Sequence, residues 1–245
     1  MKSLCFMCLL LVLYGMAVSL VIEYSFVAQS MDWTTAQNYC RQRYGDLAII
    51  TTEEENQRAV KVTGQNTFKS WIGLDRITPH VNTWKWSYGK EVNFTKWNPG
   101  EPNDQGSGEN CAVMNSNGWC DTTCGGYLTS ICCRRFVLVK EKKTWDEALK
   151  YCRTHYTDLT FVDSRTLLDL LKTETQQAQT ASVWTGLRFL DGQWFWVNRM
   201  PLGSLVSLPS CPVQPYRCGA YNFNTNVWEN RDCNEKLNFL CTKYI

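Results

Sequence analysis

The stretch Trp71-Ile72-Gly73-Leu74 occurs a second time, with one substitution, as Trp184-Thr185-Gly186-Leu187. The likeness continues on both sides, and the matched residues keep their order along the chain. Upstream, the matches pair Val27, Trp33, Ala36, Tyr39, Cys40, Arg41, Tyr44, Asp46 and Leu47 with Val139, Trp145, Ala148, Tyr151, Cys152, Arg153, Tyr156, Asp158 and Leu159. Downstream, they pair Trp84, Trp86, Trp119, Cys124 and Cys132 with Trp194, Trp196, Trp228, Cys233 and Cys241. Chance does not produce such collinearity, so the sequence predicts two copies of one domain of about 110 residues, an ordinary domain size.

The two copies meet near Arg134. This predicts a signal segment at residues 1–19, a first domain at residues 20–134 and a second domain at residues 135–245. The chain of 245 residues is long enough for two small domains.

Each copy is predicted to begin with a strand and a helix, and a second helix and short aromatic strands follow. Thr144 and Glu147 form a capping-box pattern, and so do Thr52 and Glu55. Helices early and strands late indicate an α+β domain. The predicted strands are Glu23–Ala28 and Phe136–Lys140, and the predicted first helices are Thr34–Tyr44 and Trp145–His155.

The composition excludes several functional classes. With 25 basic and 23 acidic residues, the chain has a formal net charge of +2, which does not favour a nucleic-acid partner. Its only histidines, His80 and His155, have no partner motif for nucleophilic catalysis or zinc binding. We therefore expect a protein that is not an enzyme.

The first residues have the pattern of a secretory signal peptide. Lys2 precedes an apolar run at residues 4–16, and Ala17-Val18-Ser19 provides a small-residue cleavage site. The alternative is an uncleaved membrane anchor, but the run is shorter than the roughly 20 residues of a spanning helix. We expect cleavage after Ser19, no membrane span afterwards, and a secreted, extracellular protein. Eleven of the 13 cysteines lie beyond this segment, where disulfides are expected.

Oxygen-bearing side chains concentrate in the second half of the first copy. Glu101, Asn103, Asp104, Glu109 and Asp121 all end in oxygen. Calcium takes six to eight oxygen ligands from carboxylates and amide carbonyls. Pro102 lies between two of these residues, and X-Pro is the common place for a cis peptide bond. We hypothesise that a cis bond turns Glu101 and Asn103 toward the same ion.

This stretch resembles the carbohydrate-recognition motif of C-type lectins. The resemblance rests on Glu101-Pro102-Asn103, on Glu109, and on Trp119-x-Asp121. With the repeated aromatic motifs and the cysteine spacing, it covers essentially everything after the signal segment. It implies an α+β fold of two tandem C-type lectin-like domains, disulfide-bonded and each with two helices and short antiparallel strands. The multi-domain mannose receptors are similar in this respect.

The resemblance implies that Glu101, Asn103, Glu109 and Asp121 bind Ca²⁺ and that the same four residues bind the sugar. The Glu-Pro-Asn order is similar to that of lectins for mannose, fucose or N-acetylglucosamine. The implied function is a calcium-dependent lectin in innate immunity, with mannose-type glycans or glycoproteins as partners. Asn93-Phe94-Thr95 is a glycosylation sequon.

One residue departs from the family pattern. Cys120 stands where the family has an asparagine, and a soft sulfur does not replace an amide oxygen on calcium. Two alternatives therefore stay open: an acidic, glycine-rich loop without metal, and a calcium-independent module of lectin-like fold that binds proteins. The second copy has no equivalent motif, because Gln214-Pro215-Tyr216 and Trp228-Glu229-Asn230 are only weak echoes of it.

The resemblance also implies the disulfide pairing. It gives an outer bridge and an inner bridge in each copy: Cys40–Cys132, Cys111–Cys124, Cys152–Cys241 and Cys218–Cys233. The remaining Cys120, Cys133 and Cys211 are an odd number. A Cys120–Cys133 bridge, a Cys133–Cys211 bridge, a free thiol and a disulfide-linked oligomer all stay open.

Overall fold

The structure is a computed structural model that describes residues 19–64, 69–106 and 108–243. The predicted signal peptide lies outside the described residues except for its last position, Ser19. Across the described ranges, no helix is both long enough and apolar enough to cross a membrane. The chain forms two compact units. Among the described residues, the first unit contains residues 22–135 together with Lys243, and the second contains residues 136–242 together with residues 19–21.

The first unit has two helices followed by most of its strands. In chain order its elements are β1 (Ser19–Met31), α1 (Trp33–Arg43), β2 (Asp46–Leu47), α2 (Glu53–Val62), β3 (Ser70–Arg76), β4 (Trp84–Trp86), β5 (Cys111–Met114), β6 (Trp119–Thr122) and the first part of β7 (Leu128–Lys143).

The second unit has the same order of helices and strands. Its elements are the end of β7, α3 (Trp145–His155), β8 (Asp158–Leu159), α4 (Arg165–Thr175), β9 (Ser182–Leu190), β10 (Gln193–Trp196), β11 (Cys218–Asn222), β12 (Val227–Arg231) and β13 (Leu237–Lys243).

Strand pairing is equivalent in the two units. In the first, β3 pairs antiparallel with β4 and β5, and β5 pairs antiparallel with β6. In the second, β9 pairs antiparallel with β10 and β11, and β11 pairs antiparallel with β12. Each unit also contains one parallel pair, β3 with β7 and β9 with β13.

The expectation of short antiparallel strands was therefore wrong in two respects. Each unit has a parallel pair, because the chain returns beside β3 or β9 after a long excursion, the kind of connection a parallel pair needs. Two strands are also long, since β1 has 13 residues and β7 has 16. The predicted strands Glu23–Ala28 and Phe136–Lys140 are segments of these longer strands.

The helix ends follow local capping chemistry. α3 has the predicted bounds, and its capping box is complete between Thr144 and Glu147. α1 begins one residue earlier than predicted, because the Asp32 side chain accepts a hydrogen bond from the Thr35 backbone N–H.

The capping box predicted at α2 is incomplete. The Thr52 side chain caps the helix by accepting from the Glu55 N–H. The Glu55 carboxylate, however, accepts from the backbone N–H and the hydroxyl of Thr51, at 2.6 and 2.8 Å, instead of the Thr52 N–H. The Thr52 cap therefore stays in place, and only the return bond of the Glu55 carboxylate moves one residue outward, to Thr51.

The repeated tryptophans lie in the cores, as predicted: Trp71, Trp84, Trp86, Trp184, Trp194 and Trp196 are all buried. Several make the same hydrogen bond in both units. Trp71 Nε1 donates to Met31 O and Trp184 Nε1 donates to Lys143 O, at 2.8 and 3.0 Å. These indoles fix the start of the first helix of each unit against its central strand.

Four disulfides are formed, and they are the pairs that the family resemblance implied: Cys40–Cys132, Cys111–Cys124, Cys152–Cys241 and Cys218–Cys233. Cys120, Cys133 and Cys211 are free thiols. Neither a Cys120–Cys133 nor a Cys133–Cys211 bridge is present. Cys133 is buried and donates to Leu47 O at 3.3 Å, and burial raises the pKa of its thiol to about 12.

Candidate functional site

The loop that carries the oxygen-bearing residues is anchored at its start by aromatic packing. Trp97 pairs with Trp119 of β6 through an isolated bridge. Its ring centroid lies 5.0 Å from that of Trp84 and 5.9 Å from that of Trp119. The backbone N–H of Asn98 donates to Trp119 O at 2.8 Å. The following residues therefore lie against the end of the β5–β6 hairpin.

Four of the predicted site residues are brought together beyond this anchor. The Glu101–Pro102 bond is cis, as hypothesised from the sequence. Asn103 Nδ2 donates to Glu101 Oε1 at 3.0 Å, and the Asn103 backbone N–H donates to Asp121 Oδ1 at 3.0 Å. The Gln105 backbone N–H donates to both Asn103 Oδ1 and Glu109 Oε2, at 2.8 and 2.9 Å, and so links Asn103 to Glu109.

Asp104 has a different role from its neighbours. Its carboxylate accepts from the backbone N–H groups of Gly108 and Glu109, each at 2.9 Å, and lies 2.9 Å from His80 Nδ1. The hydrogen bond from the Gly108 N–H has the largest effect on the pKa of Asp104. Together with those from His80 and Glu109, it lowers this pKa to about 2. Asp104 therefore fixes the shape of the loop rather than facing the other oxygens.

The structure adds one residue that the sequence reasoning missed. Arg76, at the end of β3, forms a buried ion pair with Asp121, with 2.6 Å between Nη2 and Oδ2. Its guanidinium also donates to Glu109 O at 3.0–3.1 Å and to Val81 O at 3.1 Å. The signal was available, because the repeat places Phe189 at the equivalent position of the second copy. The two copies therefore differ at this position, although the difference alone does not reveal the partner of Arg76.

The site carries an excess of negative charge. Glu101, Glu109 and Asp121 are three carboxylates, and the Arg76 guanidinium neutralises one of them. Burial, followed by the interaction with the neighbouring Asp121 carboxylate and the charge of Glu109, raises the pKa of Glu101. Carboxylates held this close repel one another unless a proton or a cation lies between them.

Oxygen atoms without a hydrogen-bond partner in this loop suit a hard cation, although they are fewer than the six to eight ligands that calcium takes. Glu101 Oε2 and Asn110 Oδ1 are buried and have no hydrogen-bond partner among the described residues. Oxygen atoms and a net charge near −2 suit Ca²⁺. In the described ranges, however, no three His, Cys, Asp or Glu side chains form a metal-binding group. The carboxylates alone therefore do not form a metal site, and both oxygens of Asp121 already accept hydrogen bonds, from the Asn103 and Asp104 N–H groups and from Arg76.

Cys120 borders this group as a buried free thiol. Burial, the largest effect, raises the pKa of its thiol; Lys69 lowers it in part, and the charges of Glu101 and Asp121 raise it. A protonated thiol adds neither charge nor an oxygen ligand. The asparagine oxygen that the family has at this position is therefore not replaced.

The second unit has a different arrangement at the equivalent position. The Gln214–Pro215 bond is also cis. Glu229, in place of Cys120, accepts from Ser182 Oγ at 2.6 Å and from Arg231 Nη1 at 3.0 Å. The carboxylate there is already bonded to side chains of its own unit.

Comparisons with known proteins agree with the repeat. The Lectin C-type domain profile matches residues 29–134 and again residues 141–243. The secretory phospholipase A2 receptor of Homo sapiens is 22% identical in a 267-residue alignment that covers 91% of this chain and 18% of the receptor. C-type mannose receptor 2 of Homo sapiens is 26% identical in a 205-residue alignment that covers 71% of this chain and 14% of that receptor.

One similar solved structure is that of the C-type carbohydrate-recognition domain of cow CD23 in the presence of a GlcNAc2Man3 oligosaccharide. It is 33% identical and covers 46% of this chain and 87% of that one, with a TM-score of 0.42. The chain spans less than a fifth of the length of either curated receptor.

Proposed function

Since this chain belongs to the C-type lectin domain family, we propose that its first unit is a calcium-dependent carbohydrate-binding module. Membership of the family also makes the chain a binding protein and not an enzyme. The observation that supports the proposal is the convergence of Glu101, Asn103, Glu109 and Asp121, with excess negative charge and a buried, unpartnered oxygen on Glu101.

In this proposal, the four residues hold Ca²⁺, and the ion offers open coordination positions to two neighbouring hydroxyls of a sugar. Glu101 and Glu109 use their remaining oxygens to accept hydrogen bonds from those hydroxyls, and the Asn103 amide donates one. Arg76 holds the Asp121 carboxylate in place from behind the site. The Glu101-Pro102-Asn103 order favours mannose, fucose or N-acetylglucosamine.

We propose glycans and glycoproteins as partners, in extracellular innate recognition by a secreted protein. Exposed Asn93 is compatible with glycosylation of its sequon. The equivalent tryptophan hydrogen bonds and disulfides of the two units support a division into two tandem domains at residues 134–135.

A second candidate function is a calcium-independent, protein-binding module of the same fold. Two observations favour it: Arg76 already neutralises Asp121, and Cys120 supplies no oxygen. A guanidinium that satisfies a ligand carboxylate lets the loop keep its shape without an ion. The two candidates differ in one property, which is calcium binding.

The variant Cys120→Asn tests the metal site. We expect one calcium ion to bind the unmodified protein in titration calorimetry. The variant should bind it about tenfold more tightly, because an oxygen ligand is added. Cys133→Ala, which removes the other buried thiol of this unit, is the matched control and should leave the calcium affinity unchanged. Absence of calcium binding in both proteins would favour the protein-binding module.

A further inference from the structure

The second unit contains a cavity beside its second helix, with a volume of about 510 Å³. Helix α4 forms one wall, and the loop between β10 and β11 forms another. The hairpin of β11 and β12 closes the third side. Cavities of this volume are the usual size of small-ligand sites.

Helix α4 lacks the hydrogen bond that ties its counterpart to the hairpin of the first unit. There, the Trp119 indole donates to Asn56 Oδ1 of α2 at 3.0 Å. In the register of the matched residues upstream, Leu168 of α4 replaces Asn56, and its side chain has no acceptor. Trp228, the counterpart of Trp119, donates instead to Leu205 O at 2.8 Å. Apolar side chains therefore line the space between α4 and the hairpin.

Three charged side chains of α4 also line this cavity. Arg165, Asp169 and Lys172 lie at positions i, i+4 and i+7, so they share one face of the helix. All three are exposed, and none of them belongs to an ion pair of the described residues. The wall has a net charge near +1 and therefore attracts an anion more than a cation.

The two positive charges are particular to the second unit. Arg165 replaces Glu53 of the first unit, and Lys172 replaces Val60. Glu53 has the charge that the start of a helix favours, and it pairs with Lys96 at 3.1 Å. Arg165 is the first residue of α4, where the helix dipole disfavours a positive charge. Helix stability therefore does not account for Arg165, whereas an anionic ligand would.

The remaining walls are mostly apolar. Tyr221 and Trp228 are 5% and 8% exposed, and their ring centroids lie 4.7 Å apart. Leu168 and Leu205 are half-buried. Burial, and then the charge of Asp169, raises the pKa of Tyr221, so its hydroxyl stays protonated and can donate to an anion.

We propose that this cavity binds a small organic anion with an apolar chain. The anionic head lies between the Arg165 guanidinium and the Lys172 ammonium, and the chain packs on Leu168, Leu205 and Trp228. Seven residues of helix span about 10 Å, a distance that two long side chains bridge. The inference depends on neither calcium nor sugar binding by the first unit.

The test is titration calorimetry of the protein in EDTA with octanoate, octanol and octylammonium, which share one chain and differ in charge. We expect octanoate to bind about tenfold more tightly than octanol, because two cations hold its carboxylate. Octylammonium should not bind. Equal affinities for octanoate and octanol, tighter binding of octylammonium, or no binding of octanoate would each overturn the proposal.

Variants then locate the bound octanoate. Arg165→Met and Lys172→Met keep an apolar stem, and each should weaken binding about three- to fivefold. Asp169→Asn should tighten binding about threefold, because it removes a charge of the same sign as the ligand. Lys150→Met, which removes an exposed lysine of α3, is the matched control and should have no effect. Binding that neither methionine variant weakens, or that Asp169→Asn weakens, would overturn the assignment to this cavity.

Discussion

The variant Arg76→Met is expected to lower the free energy of unfolding by about 3–5 kcal/mol in EDTA. The Arg76 side chain is 2% exposed and that of Asp121 is fully buried, so removing the guanidinium leaves a buried carboxylate without its counter-charge. It also removes the donors that bind Glu109 O and Val81 O. Chemical denaturation in urea with EDTA measures the loss.

Calcium should reverse part of this loss, because the ion can neutralise Asp121 in place of the guanidinium. We expect saturating calcium to stabilise Arg76→Met more than it stabilises the unmodified protein. The control is Arg153→Met, which breaks the ion pair with Asp158 in the second unit. The Arg153 side chain is 50% exposed, so its loss should cost less than about 1 kcal/mol. An equally small cost for Arg76→Met would show that Asp121 does not depend on the guanidinium.

The second large effect is expected from the double variant Cys40→Ala/Cys132→Ala. This outer disulfide joins residues 92 apart in sequence, and closing so long a loop stabilises the fold by about 4–5 kcal/mol in the chain-entropy model. Its loss should therefore appear as a large fall in the urea midpoint.

The inner bridge of the same unit provides the comparison. Cys111 and Cys124 are only 13 residues apart, so Cys111→Ala/Cys124→Ala should cost about 3 kcal/mol. The loop that carries Glu101, Asn103 and Glu109 lies between β4 and the inner bridge, so we expect this second variant to disturb the proposed calcium binding more than the first. Equal losses of stability for the two double variants would argue against loop-closure entropy as the main term.

The features that the sequence predicted well depend on local chemistry or on motif spacing. The start of α3 followed from the Thr144 capping box, which needs only residues three apart. The spacing of Glu101, Asn103, Glu109 and Asp121 predicted one site, and hydrogen bonds through Asn103 and the Gln105 N–H connect these residues, but their role as a site stays a prediction. Their binding of calcium stays a prediction.

The features that the sequence did not predict depend on contacts between distant residues. Arg76 and Asp121 are 45 positions apart, and no local pattern reports that a charge on β3 will be buried against a carboxylate on β6. β3 and β7 are separated by two hairpin strands and long loops, and they pair in parallel only once this intervening chain has folded. At α2, Glu55 had two backbone N–H groups within reach, and the pattern alone did not distinguish Thr51 from Thr52.

The most direct test of the central claim is retention of the protein on a mannose resin in calcium, followed by elution with EDTA. We predict retention in calcium, release by EDTA, and no retention after the change Glu101→Gln. Failure to bind in calcium, or binding that EDTA does not release, would contradict a calcium-dependent sugar site at Glu101, Asn103, Glu109 and Asp121.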